Sequence, residues 1–76
     1  MAETPSSPER ELLAAVLEAL TLPFDVDDYD RRILERAGFA RVSVDGALGE
    51  AAERPDAFTW NADWLRRKLR EEEAGR

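Results

Sequence analysis

Leu12, Leu13, Val16, Leu17 and Leu20 recur at intervals of three and four residues, the spacing of an α-helix face. Ala14, Ala15 and Ala19 between them are the strongest helix formers. Ser7-Pro8-Glu9 in front has the chemistry of a helix start. The hydroxyl can accept from a first-turn N–H, the proline sacrifices no bond at the first position, and the glutamate sits at the positive end of the helix dipole. Thr21-Leu22-Pro23 closes the element, because the residue before a proline avoids helical angles. A first helix is predicted over residues 8–21, preceded by a polar, proline-bearing segment 1–6 with nothing to bury, which reads as a disordered tail.

The middle of the chain is harder to read. Ile33, Ala37, Ala40, Val44, Leu48 and Ala51 fall on one stripe at 3.6-residue periodicity, and Tyr29 extends it backwards. That pattern predicts one long helix over 27–52, crossed by Gly38 and Gly46, each costing up to about 1 kcal/mol relative to alanine. The rival reading makes FARVSV a strand and Asp45-Gly46 a hairpin turn, but ALGEAA beyond it has neither alternation nor β-branched residues. Arg54-Pro55-Asp56 ends the element. A third helix is predicted over 61–72, capped by Asn61 with Thr59 as the other candidate. Ala62, Leu65 and Leu69 form its buried stripe with Trp64 beside them, and Trp60 packs back from just before the cap. The expectation is an all-α fold, a small three-helix domain with a long central helix. Its core would be built from Leu12, Leu13, Val16, Leu17, Leu20, Ile33, Val44, Leu65, Leu69 and the tryptophans.

Composition narrows the chemistry. A 76-residue chain is one small domain, and domains of this size are marginal without disulfides, metals or a partner. There is no cysteine and no histidine, which removes disulfides, thiolate sites, the usual zinc ligand and the commonest general base. No apolar run is long enough to span a membrane, and MAETPSSPER lacks the basic start and hydrophobic stretch of a secretory signal. The expected location is cytoplasmic. An enzyme would have to work with Asp, Glu and Tyr29 alone, with no phosphate-cradling glycine loop and little room for a pocket. No catalytic residue, metal or cofactor is therefore expected. Asp25, Asp27 and Tyr29 begin like a calcium loop, but Asp30 and Arg36 stand where its glycine and glutamate belong. The plainer reading is an acidic connection that caps the second helix and pairs with Arg31 or Arg32.

Arg66, Arg67 and Arg70 make a basic face on WNADWLRRKLREEE, which raises the question of a DNA-reading helix. Acidic residues share that face: Asp63, Arg67 and Glu71 fall on an i, i+4 ladder, and Lys68 can reach Glu71 or Glu72. Formal charge from Trp60 to Glu73 is four basic against four acidic residues, which is zero, and the whole chain carries −6. Phosphate binding rests on a positive excess, so nucleic acid is not the expected partner. A DNA-associated regulator using those arginines is the second reading. A third is an acidic nucleic-acid mimic, with carboxylates of Asp25–Asp30 and Glu50–Glu53 on one face.

The second helix offers a different surface. Phe39, Val42, Gly46 and Gly49, at i, i+3, i+7 and i+10, form an apolar ridge beside a groove without side chains. Either the other two helices cover it, or it is a contact surface for a homodimer or a protein partner. The favoured function is a non-enzymatic accessory protein that docks on a partner or self-associates through this central helix.

Three blocks, ELLAAVLEAL, RRILERAGFA and WNADWLRRKL, resemble short all-helical proteins of actinobacterial genomes and their phages, a group without a known activity. The likeness covers most of the chain after the tail and rests mainly on helix-core positions. It implies a single helix from Asp27 through Ala52, with Trp60 and the Trp64-Leu65 pair as structural anchors. GEAAERPDAFT departs from the pattern in length and charge.

Overall fold

The computed structural model describes residues 7–75; the segment 1–6 expected to be disordered lies outside them. Three helices follow one another: α1 (Pro8–Leu20), α2 (Tyr29–Glu50) and α3 (Ala57–Ala74), the middle one longest. The fold is all-α, with no strand among the described residues, and FARVSV lies within α2. Ser7 accepts from Arg10 N–H at 3.1 Å and Pro8 takes the first helical position, as the sequence predicts. Thr21 closes α1, its N–H on the Glu18 carbonyl at 3.2 Å and its hydroxyl on the Leu17 carbonyl at 2.6 Å.

Two helix starts differ from the sequence reading. α2 starts at Tyr29 rather than Asp27, because Asp28 adopts a left-handed conformation (φ 58°) that only Asp, Asn and Gly enter cheaply. Its carboxylate pairs with Arg31 at 3.0 Å and makes no side-chain cap. α3 starts at Ala57, four residues before the expected cap. The Arg54-Pro55-Asp56 turn places Asp56 to take the first helical bond, from Trp60 N–H at 2.8 Å. Asn61 is thus a buried interior residue rather than a cap, and Trp60 lies in the first turn, partly exposed over Arg54.

Each helix packs on both others, in a flattened plate of 38 × 35 × 17 Å. The radius of gyration is 13.6 Å, against about 11 Å for a rounded chain of this length. A plate this thin has little depth for large side chains, and its interior is correspondingly small. Six alanines (15, 19, 40, 47, 57 and 62) and four leucines (12, 22, 65 and 69) make up the buried apolar core. Phe39 and Trp64 flank one half of it, their rings edge to face at 6.2 Å, while Val44 and Phe58 flank the other.

Leu13, Leu17 and Leu20, expected in the core, are exposed. α1 turns a different stripe inward: Leu12, Ala15 and Ala19, with Val16 half-buried. α2 is rotated too. Its buried positions are Arg36, Ala40, Ser43 and Ala47, about 70° round the helix from the expected stripe. Small residues win this face because they let the helix axes approach. Ile33 and Val44 become half-buried flanks, and Leu48 and Ala51 are exposed.

Candidate functional site

Burying Arg36 at the centre of an alanine face is costly unless every donor is used. Nε donates to the Ala19 carbonyl at 2.8 Å and Nη2 to the Glu18 carbonyl at 3.0 Å. Those carbonyls lie in the last turn of α1, which has no basic residue of its own to meet the helix's exposed acceptors. Arg36 therefore caps α1 from α2. Nη1 turns the other way, to Glu72 at 3.2 Å and Glu73 at 3.4 Å on α3.

One turn earlier, Arg32 grips Glu72 with two hydrogen bonds, Nε to Oε2 at 2.6 Å and Nη2 to Oε1 at 3.0 Å. The Arg32 hydrogen bonds, with the charges of Arg32 and Arg36, hold the Glu72 carboxyl below the usual carboxylate range. The same bond holds Arg32 above its ordinary value. Two arginines and one buried glutamate thus fix α2 across the end of α1 and the end of α3. No buried side-chain nitrogen or oxygen among the described residues lacks a partner, so this cluster is saturated as it stands.

Above Arg36, α1 and α3 line an open groove of about 750 Å³. Ala14, Leu17, Glu18 and Thr21 form one wall, at the i, i+3, i+4 and i+7 positions of α1. Leu69, Arg70 and Glu73 form the other. Leu13 and Leu20 continue the apolar surface from Leu17 along the same helix face. Their exposures are large: 68% for Leu13 and Leu17, 48% for Leu20. Helical periodicity alone assigns these leucines to the core rather than to a surface. A signal was present, because α1 carries apolar residues on more of its circumference than one buried stripe can use.

Phe39 packs on Trp64, and a Cβ on Gly46 would lie 2.7 Å from Asn61 Oδ1, so both face α3. Val42 is exposed and Gly49 borders open space. The four do not form one continuous open surface. Arg66 turns inward to α1, 3.0 Å from Glu11 and 3.9 Å from Glu18. Arg67 is exposed, and Arg70 stands on the groove wall, so the three arginines are not presented together. Lys68 pairs with Glu71 at 3.6 Å and lies over the Trp64 ring. Asp25–Asp30 and Glu50–Glu53 sit at opposite ends of α2, roughly 30 Å apart along its axis.

Asp25, Asp27 and Asp28 border an open hollow beside Arg32. Tyr29 packs on Phe24, the ring centroids 5.2 Å apart and the planes tilted by 46°, and does not line it. Among the described residues no group of three acidic side chains is placed to hold a metal ion, and no helix is long and apolar enough to cross a membrane. No family model matches the chain, and comparison with curated proteins and with solved structures finds no match.

Proposed function

We propose that this chain is a small, non-catalytic cytoplasmic protein that works by protein–protein contact, and that its contact surface is the Leu13/Leu17/Leu20 face of α1 with the adjoining α1–α3 groove. The observation that carries this reading is the distribution of leucine. Five leucines (13, 17, 20, 34 and 48) are exposed, while six alanines and only four leucines make up the interior. Covering a leucine side chain is worth about 1.5–3 kcal/mol, so a small domain that leaves three in one stripe has much to gain from a partner. The surface expected on α2 is replaced here by one on α1, because Phe39 and Gly46 are occupied by α3.

A photoreactive residue tests the reading directly. With p-benzoylphenylalanine in place of Leu17, irradiation in the native host yields a discrete protein adduct. The same residue in place of Arg67, on the exposed outer side of α3, yields none. Absence of any adduct at Leu17 contradicts the proposal.

A further inference from the structure

We infer that arginine contacts from α2 and α3 decide which face of α1 is buried, and that without them the helix turns its leucines inward. α1 carries two apolar faces. Leu12, Ala15 and Ala19 are buried, while Leu13, Leu17 and Leu20 are exposed on a face about 130° further round. Val16 lies between the two and is half-buried. The exposed face is the more hydrophobic, three leucines against one leucine and two alanines. Apolar burial by itself therefore favours the other rotation.

Polar contacts oppose it. Arg36 donates to the Ala19 and Glu18 carbonyls, and Arg66 lies 3.0 Å from Glu11 and 3.9 Å from Glu18. Turning α1 by that angle carries the two carbonyls off Arg36 and both glutamates off Arg66. For Arg66 the loss is small, because it and its partners reach water. Arg36 is 3% exposed, and the turn strands donors of a buried guanidinium, which is far more costly. In the observed rotation each of its nitrogens is bonded. One buried arginine thus works against the rival packing and keeps the leucine face outward, whatever covers that face.

Removing both arginines tests this. Methionine is long, favours the helix and needs no hydrogen bond. Glu72 keeps its two bonds to Arg32 when Arg36 is replaced. The chain has no cysteine, so a single introduced thiol reports its own exposure. Leu13→Cys leaves Leu17 and Leu20 in place. In the full chain with both arginines present, Leu13→Cys should react with iodoacetamide on the order of 100-fold faster than Leu12→Cys, exposed against buried. With Arg36→Met and Arg66→Met added, Leu13→Cys is expected to slow roughly tenfold, as a shift to about nine-tenths rotated gives. Leu12→Cys speeds up, and helicity is kept. Loosening of the fold speeds Leu12→Cys but protects nothing, so the slowing of Leu13→Cys is what distinguishes rotation.

A Leu13→Cys rate unchanged by the two methionines overturns the inference. So does loss of helicity, since the arginines then hold the fold together rather than choose between two packings. A slowing that disappears on dilution is association between copies, and overturns it too.

Discussion

At the scale of single residues, the three glycines inside α2 look alike in sequence and differ in consequence. A Cβ on Gly38 or Gly49 meets nothing within 4 Å, whereas one on Gly46 meets the Asn61 amide at 2.7 Å. Asn61 cannot simply step aside. Its Nδ2 donates to the Ala57 carbonyl at 2.7 Å and to Glu50 at 3.3 Å, and the residue is buried. Gly38→Ala and Gly49→Ala should each stabilise the domain by about 0.5–1 kcal/mol through helix propensity. Gly46→Ala should instead cost about 1–2 kcal/mol net, since overpacking outweighs that gain. Denaturant midpoints of the three variants check the opposite signs. Ser7 as a cap was legible because its role is local. Asn61 was not, because its residue type suits a cap and only the Asp56 turn shows that the helix has already begun.

At the scale of the helices, periodicity found all three and could not fix their rotation. α2 has apolar residues on one flank and Phe39 on the other, and its buried face lies between them, on Arg36, Ala40, Ser43 and Ala47. A hydrophobicity pattern undervalues that face because it contains an arginine and a serine. The serine returns its hydroxyl to the Ala40 carbonyl at 2.7 Å, and the arginine is consumed by α1 carbonyls and α3 carboxylates. Both are therefore tolerated inside.

The ion cluster also sets a pH dependence. Glu72 has a lower pKa in the folded chain than when unfolded, through its bonds to Arg32 and the nearby Arg36 charge. Its contribution to stability is complete above the unfolded value of about 4.3. It is lost as pH falls through the lower folded value. Thermal midpoints should thus drop on acidification below about pH 4. Glu72→Gln should begin lower at neutral pH and show a shallower decline over the same interval. An equal slope in parent and variant would remove Glu72 as the source.

At the scale of the whole molecule, thinness is the governing fact. Three helices arranged as a plate 17 Å thick bury mostly small residues and leave five leucines on the faces. The sequence announced enough apolar residues for a core, and counted Leu13, Leu17 and Leu20 toward it. Whether a leucine on a helix faces in or out depends on where the other helices cross, which no local pattern records. The same three residues, moved from core to surface, turn a stability argument into an argument for association. They also shift the proposed contact surface from α2 to the α1–α3 groove, whose floor Arg36 and Glu73 close off with satisfied bonds.

The most direct test is photo-crosslinking in the native host from p-benzoylphenylalanine at Leu13, in the parent chain and in one that also carries Leu17→Glu, with helicity followed in parallel. The parent should give a discrete protein adduct. Leu17→Glu, at a position 68% exposed, should lose it with unchanged helicity. A parent without an adduct, or a Leu17→Glu variant that gives it as the parent does, would contradict contact through α1.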